Sequence, residues 1–198
     1  MASVETPGAI LTVDLDGIAA NYLLIAGRIG AATAGAVVKA DAYGMGLQRV
    51  APALARAGCR EFFVATLDEG LALRQCVAHA RIHVLNGLAP GEAGAMAEAG
   101  LTPVLNSLDE LHLGTEFGRT RNAPMACDLQ IDTGLTRLGL DAADALALAD
   151  DPTLMGGLEV DCLMSHLACA EVPEHPMNET QLTCFAAVSA RLPARRAS

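Results

Sequence analysis

Ala36-Val37-Val38-Lys39-Ala40-Asp41-Ala42-Tyr43-Gly44-Met45-Gly46 reads as the junction of a β/α unit. An apolar strand comes first, one lysine stands where that strand should end, and a glycine-rich turn leads into a helix. A lysine behind three apolar residues stands half in a low-dielectric wall, which favours the neutral amine. That is the chemistry needed for a Schiff base with a carbonyl cofactor such as pyridoxal phosphate. Tyr43, four residues on, places a phenol beside whatever the lysine holds. A solvated lysine capping a strand satisfies the same stretch, and both readings stand at this point.

Working outward, strand-like runs recur at Gly35–Lys39, Glu61–Ala65, Ile82–Leu85, Thr102–Leu105, Ala126–Ile131 and Leu158–Ser165. Ile10–Asp14 adds a short strand signal. A helix follows it from about Leu15 to Gly30, with Ile18, Tyr22, Ile25 and Ile29 on one face. Helical segments fill the gaps. Thr66-Leu67-Asp68-Glu69 and Ser107-Leu108-Asp109-Glu110 fit the capping box. Asp141 begins a further helix, and Asn178 heads the last, with Gln181 three residues later. Gly58 and Gly100 fall where helices should end.

Six strands, each followed by a helix at roughly 20–30 residue intervals, predict a parallel α/β fold whose strands are buried on both faces. A barrel and an open doubly wound sheet share this pattern. No early strand leads into a G-x-G-x-x-G turn, which favours the barrel. A full (β/α)₈ barrel of the TIM type takes eight strands and about 250 residues. The expectation is therefore a barrel truncated to about six β/α units, ending at Arg191–Ser198 before a seventh strand.

Composition narrows the function classes. The 198 residues are 52% apolar and 18% charged, which excludes general disorder. A net charge of -10 argues against nucleic acid and against anionic lipid. No window approaches the roughly 18 apolar residues of a membrane span. Met1-Ala2-Ser3-Val4-Glu5-Thr6-Pro7 lacks the basic start and apolar run of a signal peptide. Cys59, Cys76, Cys127, Cys162, Cys169 and Cys184 are widely and irregularly spaced, as expected of reduced, mostly buried thiols. A cytoplasmic protein is the default expectation.

Catalytic residues of such barrels stand at the C-terminal ends of the strands. Lys39 ends the first. The fifth runs into Asp132-Thr133-Gly134-Leu135-Thr136-Arg137-Leu138-Gly139, a glycine turn that delivers one arginine among apolar neighbours. Its rigid donor fork suits an anion or a phenolate, and local pairing with Asp132 or Asp141 is the alternative. The sixth ends in Ser165-His166-Leu167-Ala168, where His166 could stack on a planar ring, ligate a metal or simply line the wall. His79, His83, His112 and His175 show no spacing that points to a metal. Asp14 and Asp16 fit helix N-terminal acids better than a catalytic pair.

Val37–Gly44, Asp132–Gly139 and Ser165–Ala168 together resemble the three signatures of bacterial alanine racemase, in that family's order and spacing. Leu11-Thr12-Val13-Asp14-Leu15-Asp16 and His175-Pro176-Met177-Asn178-Glu179-Thr180-Gln181 resemble it too. The resemblance implies that Lys39 holds pyridoxal 5'-phosphate and exchanges the α-proton on the D-alanine side. It implies that Tyr43 contacts the cofactor phosphate and that His166 packs on the pyridine ring. Arg137 would lie by the phenolic oxygen and the substrate carboxylate.

It further implies a leading strand and helix over residues 1–30, a barrel over 31–198, and a C-terminal β domain absent from this chain. That domain brings the family's second base, a tyrosine, across a homodimer interface. Tyr22 and Tyr43 are both otherwise placed, so the isolated chain is expected to be a poor racemase. Two positions depart from the family pattern. Gln130 stands where many members have lysine, and Met45 where histidine is common. A broader amino-acid racemase, a non-catalytic pyridoxal phosphate carrier and a fragment with no activity are the alternatives.

Overall fold

The computed structural model describes residues 9–192 and 194–198. Its sheet has seven parallel strands, each paired with its successor in the chain. They are β1 (Gly35–Val37), β2 (Glu61–Val64), β3 (Arg81–Val84), β4 (Leu101–Leu105), β5 (Met125–Gln130), β6 (Leu158–Met164) and β7 (Arg196–Ala197). Strictly sequential order belongs to a barrel, since a doubly wound sheet reverses at a switch point. The sheet curls accordingly. Glu61 on β2 and Arg196 on β7 meet at 3.1 Å, although four strands lie between theirs.

The six expected strands all form, with ends moved by no more than two residues. The seventh corrects the expected count. Arg196 and Ala197 pair with Cys162 and Leu163 on β6. A two-residue strand beside three arginines carries no apolar run by which to recognise it. The expected strand at Ile10–Asp14 is not one. The described residues there have no strand partner, and Ile10 and Leu11 are 83% and 78% exposed.

The helices are α1 (Leu15–Arg28), a short turn α2 (Lys39–Tyr43), α3 (Leu47–Arg56), α4 (Leu67–Cys76), α5 (Ala93–Ala99), α6 (Leu108–Arg121), α7 (Ala142–Asp150) and α8 (Pro176–Ser189). Asp14, Thr66, Ser107 and Asp141 each accept a hydrogen bond from the first turn of the helix they precede. This satisfies donors that the helix itself cannot. Gly100 closes α5 in the left-handed region. On α1 the expected apolar face holds only at its start: Ile18 and Tyr22 pack on the core, whereas Ile25 is exposed.

The start of α8 also corrects the expectation. His175 caps it by accepting the Met177 amide, and Pro176 occupies the first helical position. Proline fits there because its missing N–H would have had no partner. Asn178 instead donates to the carbonyls of Val172 and Pro173.

Strand alternation divides the sheet into two unlike faces. Phe62 and Val64, Ile82 and Val84, and Cys127 and Leu129 are buried against Leu73, Met96 and Leu111 of the helices. Each such side chain contributes about 1.5–3 kcal/mol through burial. The alternate residues Glu61, His83 and Asp128 are equally buried but polar. The helix side is thus apolar, whereas the barrel interior mixes apolar residues such as Val104 and Cys162, in register with Asp128, with buried charge.

Candidate active site

The C-terminal strand ends open onto a cavity of about 600 Å³ whose wall includes Lys39, Tyr43, Gln130, Arg137 and His166. All four residues singled out from the sequence thus line one space. Lys39 is half-buried and is the sole lysine of the chain, beside twelve arginines.

Lys39 owes its place to an unusual backbone. Val38 still pairs with β2, donating to the Phe63 carbonyl at 2.8 Å. The chain then turns left-handed, with φ of 52°, 54°, 54° and 56° at Ala40, Asp41, Ala42 and Tyr43. Each non-glycine residue in that region costs roughly 1–2 kcal/mol. The strand-to-helix junction expected here is therefore a strained left-handed turn, not a relaxed glycine loop. Asp41 Oδ1 accepts the Leu47 amide at 2.6 Å and ties the turn to α3. Glu69 Oε1 accepts the Ala40 amide at 2.8 Å, and Glu69 Oε2 accepts that of Ala65 at 2.7 Å.

Arg137 is carried by a loop that folds back on the end of β5. The Asp132 amide donates to the Leu140 carbonyl and the Leu140 amide to that of Gln130, both at 2.8 Å. Only glycine fits at 139. It has φ of 120°, and a Cβ there would stand 2.7 Å from the Asp132 nitrogen. The two carboxylates offered as alternative partners for Arg137 are already engaged. Asp132 Oδ1 accepts the Gly134 and Thr136 amides, and Asp141 caps α7. Among the described residues Arg137 makes no ion pair, which leaves its guanidinium free to meet an anion.

His166 follows β6 and is held through its backbone. Gln181, 1% exposed on α8, donates to the His166 carbonyl at 2.9 Å and to Thr133 Oγ1 at 3.1 Å. Its Oε1 accepts the Ala168 amide at 2.8 Å. One buried amide thereby locks the loop bearing His166 to the loop bearing Arg137. The sequence points to Gln181 only as a helix-start residue.

Below this mouth His83 lies between Asp128, 2.5 Å from Nδ1, and Glu61, 2.8 Å from Nε2. Arg81 and Arg196 also reach Glu61, and Arg196 pairs with Asp161. Burial alone would drive the proton from His83, but its two carboxylate partners outweigh that and raise its pKa. Burial would likewise raise the Glu61 carboxyl. Hydrogen bonds from His83 and Arg81 prevail and bring it down to about 2. These pairings join different strands, so no spacing along the chain announces them.

All six cysteines are free thiols; Cys59, Cys127 and Cys162 are buried and the other three half-buried. No described helix is long and apolar enough to cross a membrane.

The family model for the alanine racemase N-terminal domain matches residues 13–198. The chain belongs to that family. An alanine racemase from Acidiphilium cryptum is 48% identical over 188 residues, covering 95% of this chain and 52% of its own length. The alanine racemase from Bartonella henselae, solved with covalently bound pyridoxal phosphate, superposes with a TM-score of 0.89 at 36% identity. That match covers 94% of this chain and 54% of the other. A histidine racemase from Leuconostoc mesenteroides reaches 0.82 at 25% identity, covering 93% of this chain and 50% of the other. The chain thus spans about half the length of the alanine racemases it matches.

Proposed function

We propose that the chain is the cofactor-binding barrel of an alanine racemase and holds pyridoxal phosphate on Lys39. The observation that carries this reading is the chain's single lysine on a cavity wall shared with a phenol, an imidazole and an arginine that has no ion pair among the described residues. That donor set fits a planar aldehyde bearing a phosphate and a phenolate. Tyr43 would hold the phosphate, Arg137 the phenolic oxygen and the substrate carboxylate, and His166 would cover the ring. When bound, the cofactor supplies an electron-withdrawing ring that takes up the electron pair left as the substrate α-C–H bond breaks.

Lys39 Nζ would accept or return that proton on one face of the α-carbon. Racemisation needs a second base on the opposite face. Tyr22 packs on the core from α1, and Tyr43 belongs to the lysine's own turn. The second base comes from outside these 198 residues, in our reading from a partner subunit of a homodimer. The chain alone should bind the cofactor and racemise poorly. The complete enzyme would supply D-alanine for peptidoglycan in the cytoplasm. The likeness to a histidine racemase keeps a broader amino-acid racemase as the second reading.

Treatment with pyridoxal phosphate and then borohydride should fix one pyridoxyl group, mapping to Lys39 by peptide mass spectrometry. Lys39→Ala should fix none there. Labelling that ignores Lys39 would exclude the cofactor-lysine assignment. Turnover of L-alanine and L-histidine, followed with D-amino-acid oxidase in the enzyme carrying this barrel, separates the two substrate readings.

A further inference from the structure

The turn after Lys39 has four consecutive left-handed residues and no glycine among them. Such strain persists only where surrounding contacts over-determine it. Asp41 supplies local contacts: its side chain takes the Leu47 amide and its carbonyl takes that of Gly46. A tether from another element comes from α4, where Glu69 Oε1 accepts the Ala40 amide at 2.8 Å. Ala40 is the residue immediately after the lysine, and it opens the left-handed run with φ of 52°.

We propose that Glu69 is a positioning residue for Lys39: its carboxylate ties the left-handed turn to the β2–α4 junction and so aims the lysine into the cavity. The sequence assigns this glutamate to a capping box, in which it would serve its own helix. Half of that box forms, because Thr66 Oγ1 accepts the Glu69 amide at 3.4 Å. The carboxylate is spent elsewhere, one oxygen on Ala65 at the end of β2 and the other on Ala40. A carboxylate accepting two backbone amides is a strong, directional clamp. It joins two β/α junctions that no side chain of β1 itself connects here. Glu69→Gln would replace one acceptor oxygen by a donor and set it against one of the two amides.

The inference rests on Lys39 being the cofactor lysine, and the experiment separates the two claims. Condensation of Lys39 Nζ with the aldehyde of pyridoxal phosphate forms a C=N bond and releases the aldehyde oxygen as water. Borohydride then delivers hydride to that carbon and a proton from solvent completes the secondary amine. The fraction fixed is measured against pyridoxal phosphate concentration for the wild type, Glu69→Gln, Glu69→Ala and Thr66→Ala. Loss of one charge-assisted hydrogen bond predicts a shift of about tenfold in half-saturating concentration for Glu69→Gln, and a larger one for Glu69→Ala.

Thr66→Ala weakens the same helix start but keeps the tether, so it should melt earlier and label like wild type. Wild-type labelling by Glu69→Gln overturns the proposal, as does an equal loss in Thr66→Ala. Absence of labelling in the wild type overturns the cofactor assignment itself. If the Glu69 variants do not fold, the wild-type Ala40 amide decides. It should exchange slowly, because the carboxylate holds it. A freely exchanging Ala40 amide overturns the tether.

Discussion

The barrel interior holds two charged clusters that obey opposite rules. Toward the start of β2 and β3, Glu61, His83 and Asp128 are buried and paired with one another, with Arg81, Arg196 and Asp161 completing the network. Among the described residues one carboxylate oxygen there, Asp128 Oδ1, lacks a partner. At the other end Arg137 and His166 are exposed, and Arg137 has no ion pair among the described residues. Charge that answers charge holds the strands in register. Charge kept unanswered on a cavity wall, by loops that occupy the nearby carboxylates with backbone amides, is available to a ligand.

The comparison breaks most directly if the lower cluster can be dismantled without harm. Asp128→Ala leaves the buried His83 beside one carboxylate instead of two. Removing one partner of a buried pair costs about 3–5 kcal/mol. Urea unfolding should show this as a large fall in midpoint with little change in slope. A midpoint within experimental scatter of wild type would mean that the network contributes nothing to folding.

The same cluster sets the pH dependence. His83 has a raised pKa in the folded state, so its contribution is fully present below its unfolded value of 6.5 and fades as pH rises through the folded one. Glu61 behaves oppositely. Its contribution is present above the unfolded 4.5 and is lost as pH falls toward about 2. Stability should therefore peak between those two unfolded values. His83→Gln should flatten the alkaline side of the curve and leave much of the acid side in place. An unchanged alkaline side would assign that slope to other groups.

Gln181 is expected to have an intermediate effect, since it joins the two loops that carry Arg137 and His166. Gln181→Leu keeps the volume but leaves the His166 carbonyl and the Ala168 amide without their side-chain partner, while Thr133 keeps Ser165, at a cost of about 1–3 kcal/mol. Because that amide couples the Arg137 and His166 loops, cofactor labelling at Lys39 should weaken as well. Loss of stability with labelling intact would place Gln181 in the lower class, as a purely structural group.

What the sequence disclosed follows from the range of each interaction. Lys39, Arg137 and His166 are legible because each stands at a strand end inside a local motif, and strand periodicity carries them to one rim. The His83 network is illegible because its partners come from β2, β5 and β7, and a histidine amid apolar residues is an ordinary wall residue. The left-handed turn was hidden for another reason. Ala40 and Ala42 have no intrinsic preference for that region, and contacts from Glu69 and α3 impose it. Tertiary contact there overrides local propensity, which is the usual mark of a strained site.

The smallest expected change in stability tests the other half of the comparison. Arg137→Ala removes an exposed side chain with no ion pair among the described residues, so unfolding should move by no more than about 0.5 kcal/mol. Its backbone loop is held by Asp132, Gly139 and Leu140 and does not need the guanidinium. Yet, if Arg137 serves the cofactor as proposed, Lys39 labelling should require clearly more pyridoxal phosphate, since the cation that would face the phenolate is gone. Arg137→Lys should recover part of that loss, because a point charge restores attraction without the rigid fork. A variant that unfolds early would show that Arg137 carries a structural contact after all. One that stays stable and labels normally would leave the arginine without a part in cofactor binding.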